Sequence, residues 1–336
     1  MNHKPILSVL IVTYNRVKFL ETTASLFISQ IINDGLSDKV EIIIGNDASS
    51  DGTDKYLNQL QSKYQFVKAI NHSKNLGVSG NVLSVVAAAR GEYIWMFGED
   101  DLITEGAINK VLQSIHAHSP NYMLLNTQNI LSHDDRNLDY EIIGDKRLDI
   151  EEDVLIGNFE TEAKKLSKIK NWLYLTGLIS TVACKKKLFL DWMDEARKYA
   201  RADNVYLYQA PIIMGIAKLG GFNIIAEPLI LHRKNENHWT GSPHKILGVN
   251  LYDSSEILDI IKDYMPQEHR EYQKLFAAFV LATILSAKKN KVNVNKYIID
   301  AIRKHYNCYP YNVRFLMALL THGMIFRIFL GNLNQH

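Results

Sequence analysis

The sequence predicts an α/β fold, a mostly parallel sheet with helices on both faces, joined to a helical C-terminal region. Three observations carry this. Strand-like and helix-like segments alternate through residues 1–130, the order that builds parallel strand–helix–strand units. The strand segments are unbroken apolar runs rich in Val and Ile, as strands covered on both faces are. Polar or acidic clusters directly follow three of these runs, and ligands of such sheets bind outside the carboxyl ends of the strands.

The elements read in order as follows. Ile6 to Thr13 is a buried strand, and Val17 to Ile31 carries Phe19, Leu20, Ala24, Phe27 and Ile31 at helical spacing. Val40 to Gly45 is a second strand. Asp47 to Thr53 is a turn cluster, and Thr53 caps a helix running to about Tyr64. Phe66 to Ile70 is a third strand, Asn71 to Gly80 a polar loop, and Asn81 to Ala89 a helix ended by Gly91. Tyr93 to Phe97 is a fourth strand, Ala107 to His116 a helix, and Tyr122 to Leu131 a fifth strand.

From His133 to about Lys170 the pattern loosens and charge density rises, so this stretch reads as a long insertion or mobile loop with a helix near Thr161 to Ile169. Order returns at Leu173 to Ala183, followed by a helix from Lys186 to about Ala200 and another after Asp203. Phe222 to Ala226 and Leu229 to Leu231 are short strands, and only helical patterns follow Lys245. The organisation expected is therefore 1–130 and 131–240 as two halves of one α/β domain, with 241–336 as the helical region.

Composition narrows the class. A net charge of +2 over 336 residues demands no nucleic-acid partner. Two cysteines, Cys184 and Cys308, make a disulfide scaffold implausible. The apolar run after Pro5 is broken by Thr13, Asn15 and Arg16, so it is no secretory signal, and no stretch reaches the apolar length of a spanning helix. The expectation is a cytoplasmic protein, soluble or held at the inner face of the membrane.

The chemistry concentrates at strand ends. Glu99-Asp100-Asp101 follows the fourth strand. Three adjacent carboxylates repel one another where water is partly excluded. A divalent cation bridging to a diphosphate would relieve that cost, and a solvated acidic turn is the alternative. Asp47 ends the second strand and can accept a hydrogen bond from a base or a ribose hydroxyl, while Ser50 to Thr53 read as a capped turn. Thr13, Tyr14, Asn15 and Arg16 end the first strand. Tyr14 can stack on a base and Arg16 can face a phosphate, or either can be plain surface. Asn75 to Asn81 open a helix, whose N-terminus favours anions.

The series "SVLIVTYNR", "IIIGNDASSDGT", "NHSKNLGVSGN" and "GEYIWMFGEDD" resembles glycosyltransferase family 2, the large group with the GT-A (Rossmann-like) fold. The likeness covers residues 6–115, and its Gly-acidic-Asp-Asp-Leu run is similar to the abequosyltransferase-like enzymes of O-antigen assembly. The resemblance implies that Thr13, Tyr14 and Asn15 meet the nucleotide, that Asp47 holds the base, and that Asn75 and Asn81 flank the diphosphate. It aligns Gly98 to Asp101 with an Asp-x-Asp-Asp segment, whose first acidic place falls on Gly98, or on Glu99 if the register moves by one. Asp100 is then the first metal candidate, with Asp101 and Glu99 as alternatives and Mn2+ or Mg2+ as the ion. In the second half, the family's catalytic base falls on Asp203, preceded here by Ala202 instead of an acid; the alternative is a helix N-cap. His232-Arg233 closes this segment and His238 follows; a loop there can close over the diphosphate, with His238 as metal ligand or Arg233 as phosphate partner, and a structural histidine is the alternative.

The function expected is a metal-assisted, inverting transfer from a nucleotide-sugar to a saccharide or lipid-linked saccharide, in cell-surface polysaccharide synthesis. Phe315, Leu319 and Phe326 give the C-terminal segment an apolar spacing. That spacing suits packing on the protein body, an interfacial helix with Arg314 and Arg327 near headgroups, or a contact between protomers. Two other readings compete: a catalytically degenerate scaffold, and a nucleotidyltransferase, which the absence of a Gly-rich basic loop after the first strand disfavours.

Overall fold

The computed structural model describes residues 4–132, 139–166, 168–169, 172–176, 178–197, 210–233, 260–266 and 269. The chain divides into two compact units, Met1–Glu236 and Asn237–His336. In the second, residues 260–264 are helical; the helical region expected there, with Arg314 and Arg327, otherwise lies outside the described residues.

The first unit is α/β, as its sequence predicts. Strand β1 (Leu7–Thr13) is buried along its whole length, as is β2 (Val40–Asn46). They pair in parallel, with β3 (Val67–Asn71) beyond β2 and β4 (Tyr93–Gly98) on the other side of β1. Helices α1 (Val17–Asn33), α2 (Thr53–Lys63) and α3 (Gly77–Ala88) make the crossovers. The apolar face of α1 packs Phe27 edge-on against Trp95 and Phe97 of β4, at 5.6 and 4.9 Å between ring centroids. These three rings fix how α1 lies on the sheet, so the β1–α1 turn is held on a rigid base.

The other half of the sheet is mixed. Its path continues from β4 through β9 (Val182–Lys185), β6 (Tyr122–Ser132) and β10 (Phe222–Arg233) to the two-residue β5 (Leu102–Ile103). Strand β9 runs antiparallel to both β4 and β6, whereas β6 and β10 are parallel. Helix α4 (Ala107–His118) connects β5 to β6, and α7 (Lys186–Ala196) and α8 (Ala210–Leu219) precede β10.

Two sequence expectations change here. The stretch read as a loose insertion contributes strands: β7 (Tyr140–Ile143) pairs with β6 and β8 (Val154–Ile156) pairs with β10, and α5 spans Phe159–Leu166. Strands of four and three residues at a sheet margin are too short to show a period. The two short strands expected near residue 226 are one strand, whose register shifts on either side of Pro228. Proline has no N–H for the ladder, so the ladder is interrupted and resumes at Ile230. That resumption carries β10 past β5 and delivers His232 and Arg233 to the carboxyl end of β4.

Candidate active site

The carboxyl ends of β1, β2 and β4 lie level, with Thr13 opposite Asn46 and Val12 opposite Gly98. Asn15 and Ala48 adopt left-handed conformations, φ 54° and 59°, in the turns leaving β1 and β2. These turns are laced together. The Asn15 N–H donates to Ser49 Oγ (2.9 Å), and the Ser50 N–H donates to Asn15 Oδ1 (2.8 Å). The Asp51 carboxylate accepts from the N–H of Val17 at 2.9 Å and from Thr53. One carboxylate thus serves the first turns of both α1 and α2, which favours its charged form. Burial opposes this, yet the hydroxyl and backbone donors hold Asp51 below the usual carboxylate range. The turn read at Ser50 to Thr53 is present, but Thr53 is not its cap: Gly52, without a side chain, is the N-cap of α2, and the Thr53 N–H and hydroxyl donate to Asp51. Asn15 is a hinge of the turn as well as a candidate donor contact.

Asp47 is buried, and its Oδ1 accepts the Leu76 N–H at 2.6 Å. Asn75 caps the following turn through Gly77 N–H and reaches back to the Asp47 carbonyl. Asn81 is almost wholly buried and donates to the Gly45 carbonyl at 2.8 Å. A β-carbon on Gly45 would stand 2.1 Å from Asn81 Oδ1, so the glycine is what lets α3 approach β2. Asn81 therefore joins α3 to β2, one layer beneath the loop it was expected to line. Tyr14 is half exposed beside this group, and the buried Thr13 hydroxyl has no hydrogen-bond partner among the described residues.

The acidic triplet is held from three sides. The Thr23 hydroxyl on α1 lies 2.7 and 2.8 Å from the carbonyls of Glu99 and Asp101. Arg233 Nε–H donates to the Asp100 carbonyl at 3.1 Å. Asp101 is buried, with Oδ2 accepting from Ser180 Oγ (2.5 Å) and Oδ1 facing His232 Nδ1 (2.8 Å). Burial alone would raise the Asp101 carboxyl, but His232, Ser180 and the Arg233 backbone bring it below its ordinary value. Ser180, on a short 3-10 turn (Ile179–Thr181), also accepts the Gly98 N–H at 3.0 Å. A β-carbon at Gly98 would sit 3.2 to 3.5 Å from Asp100 Oδ1, Ile179 and Ser180 Oγ. A side chain there would press on the residues that fix the triplet.

Glu99 and Asp100 are the carboxylates turned toward Arg16. Its Nη1 lies 2.6 Å from Asp100 Oδ2 and 3.6 Å from Glu99 Oε1. Burial and then the charge of Asp100 push the Glu99 carboxyl up to about 8, with Arg16 opposing. The guanidinium groups of Arg16 and Arg233 lie 5.2 and 5.3 Å from the centre of the Phe19 ring. Arg16 and Arg233, read from the sequence as phosphate partners, both lie in the triplet's surroundings and contact the carboxylate segment itself. Among the described residues no cluster of three or more His, Cys, Asp and Glu is set to hold a metal. Asp203 and His238 lie outside the described residues. Thr23, Ser180 and Phe19 went unmarked in the sequence, because nothing local distinguishes them from ordinary helix, turn and core positions.

Residues 8–173 match the model of Glycosyl transferase family 2. A relative named abequosyltransferase RfbV, from Salmonella typhimurium, is 33% identical over 104 residues, 31% of this chain and 30% of that protein. A Campylobacter jejuni protein named GalNAc(5)-diNAcBac-PP-undecaprenol beta-1,3-glucosyltransferase is 33% identical over 110 residues, 32% of this chain and 34% of that one. These alignments span about a third of each relative's length. Among solved structures, S. aureus TarS 1-349 in complex with UDP-GlcNAc superposes with a TM-score of 0.62 at 17% identity, covering 92% of this chain and 83% of that one. A mannosyltransferase from Pyrobaculum calidifontis in complex with GDP-Man and Mn2+ gives 0.51 at 12% identity, covering 94% of this chain and 86% of the other. Likeness at such low identity is a likeness of fold.

Proposed function

We propose, from the premise that the chain belongs to glycosyl transferase family 2 through residues 8–173, that it moves a sugar from a nucleotide-sugar donor to a saccharide or lipid-linked saccharide acceptor. The observation that carries this is the convergence on one sheet edge of Thr13, Tyr14 and Asn15, of Asp47, and of Glu99 to Asp101 with Arg16, His232 and Arg233. A base and ribose find donors and acceptors on the β1 and β2 turns. The diphosphate end faces the triplet and two arginines, whose planar guanidinium groups suit phosphate oxygens. The relatives' names, an abequosyltransferase and a glucosyltransferase for an undecaprenol-linked saccharide, support a role in cell-surface polysaccharide synthesis of the O-antigen or capsule type. Such an acceptor would bring the protein to the inner face of the membrane; among the described residues no helix is long and apolar enough to cross one.

The triplet fits a divalent cation in one particular way. Asp101 has both oxygens engaged by Ser180 and His232, which leaves Glu99 and Asp100 as the pair that would hold Mn2+ or Mg2+. Carboxylate oxygens of this kind are the hard donors such a cation takes. When bound, the cation neutralises charge that builds on the departing diphosphate. The chain supplies the rest: the β1 and β2 turns orient the donor, and Asp203 takes the proton from the acceptor hydroxyl as that oxygen attacks the anomeric carbon, inverting it.

Thermal unfolding against UDP, GDP, CDP and dTDP, each with and without Mn2+, tests the donor site, since a ligand of the native state raises the melting temperature. A metal-dependent rise with one nucleotide is expected. No rise with any of the four would leave the donor assignment without foundation and favour a degenerate scaffold. Asp203→Asn is expected to abolish transfer while keeping that rise; undiminished turnover would remove Asp203 from the mechanism.

A further inference from the structure

We propose that Arg16 is a resident counter-ion that makes the acidic triplet discriminate against a free divalent cation and accept one only together with a diphosphate. The inference rests on the nucleotide-sugar reading above. It starts from the local arrangement of charge. The acidic side chains of Glu99, Asp100 and Asp101 lie among the basic side chains of Arg16, His232 and Arg233. His232 is turned to Asp101, and Arg233 is bound to the Asp100 backbone. Arg16 lies against the two carboxylates that would hold a metal, at 2.6 and 3.6 Å. Its side chain is only 13% exposed, and its guanidinium lies over Phe19, so the pairing is built into the floor of the site.

A free cation arriving at Glu99 and Asp100 meets a fixed positive charge within contact distance of its ligands. Like charges that close, with water partly excluded, weaken binding strongly. A cation bound to a nucleoside diphosphate differs, because it brings anionic oxygens of its own. Those oxygens give the guanidinium a new partner as the cation takes up the carboxylates, and guanidinium is suited to phosphate. Arg16 thereby penalises one ligand and favours the other, which is how a site discriminates by charge. Phe19 is consistent with a guanidinium that shifts between partners, since a ring face accepts a cation without requiring one hydrogen-bond geometry.

The test uses the full chain and Mn2+ followed by electron paramagnetic resonance, titrated alone and with UDP, GDP, CDP or dTDP. The variants are Arg16→Met, which keeps an apolar stem over Phe19, and Arg16→Lys, which keeps the charge. In the unaltered protein, Mn2+ is expected to bind measurably only with a nucleotide. In Arg16→Met, binding of Mn2+ alone is expected to tighten about tenfold or more, from loss of one adjacent positive charge, while the gain from added nucleotide shrinks. Arg16→Lys is expected to follow the unaltered protein. If Arg16→Met leaves the affinity for Mn2+ alone unchanged while the unaltered protein still binds Mn2+ with a nucleotide, the counter-ion role is overturned and the donor site stands. If the unaltered protein binds Mn2+ with none of the four nucleotides, both fall. Should Arg16→Met fail to fold, Arg16→Gln takes its place in the same titration, with tightening again expected and an unchanged affinity again overturning the role.

Discussion

Replacing Ser180 with alanine probes the element that fixes the acidic triplet. The Ser180 hydroxyl donates to Asp101 Oδ2 at 2.5 Å and accepts the Gly98 N–H at 3.0 Å, and both contacts are buried. Alanine removes both at once, and a void the size of one oxygen admits no water. A buried hydrogen bond to a charged group is worth ~1.5–3 kcal/mol, and a buried N–H left without a partner costs ~1–3 kcal/mol. Part of this is recovered as His232 and Thr23 still hold Asp101, so the loss expected is about 2–5 kcal/mol. Denaturant unfolding with linear extrapolation reads it, and Asp101→Asn closes a double-mutant cycle. If Ser180 works through Asp101, the coupling between the two is about 1–3 kcal/mol. A single-variant loss below about 1 kcal/mol, or additivity within about 0.5 kcal/mol, would refute the idea that the hydroxyl anchors the carboxylate.

Three further outcomes follow from the geometry. Gly45→Ala places a β-carbon 2.1 Å from Asn81 Oδ1 and is expected to cost about 1–3 kcal/mol by forcing α3 off β2; a melting temperature equal to the parent's would contradict that packing. Asp51→Ala removes acceptors from the first turns of α1 and α2, for an expected loss of about 1–2 kcal/mol and weaker nucleotide binding, read by denaturation and by ligand titration. Glu41 is buried and accepts from Ser8 Oγ (2.6 Å), the Arg90 N–H (2.6 Å) and Arg90 Nε–H (2.8 Å). Burial raises its carboxyl, but these donors bring it below the ordinary value. Its contribution is therefore present above the unfolded carboxylate pKa and disappears as pH falls through the lower folded value. The stability gap between the parent and Glu41→Gln should be constant near neutrality and close on acidification, and a gap that stays constant to pH ~3 would count against the assignment.

What could be read from the chain and what could not divides along sequence distance. The alternation of β1 to α3 is written locally, in apolar runs and the turn residues between them, so strands and helices there fell within a few residues of their sequence bounds. The sheet edge carrying Thr13, Asp47 and Glu99 to Asp101 followed from the same pattern, because parallel strands bring their carboxyl ends level. The mixed half resisted. Strands β5, β7 and β8 have two to four residues, and strand β9 is ordered by neighbours on both sides rather than by a period of its own.

The same division governs the chemistry of the triplet. Glu99-Asp100-Asp101 reads in sequence either as a repulsion that a cation would relieve or as a solvated acidic turn. In the fold, Asp101 meets Ser180 and His232, 79 and 131 residues away, and Asp100 meets Arg16, 84 residues back. No window along the chain contains these pairings, so the charge of a motif cannot be totalled from the motif. With the partners in place the three acids separate into two kinds. Asp101 is engaged inside the protein as the anchor of its own loop. Glu99 and Asp100 face Arg16, at 3.6 and 2.6 Å. Gly98 belongs to the same arrangement: a β-carbon there would press on Asp100 Oδ1 and Ile179 at 3.2 and 3.3 Å, beside the Ser180 hydroxyl that accepts its N–H.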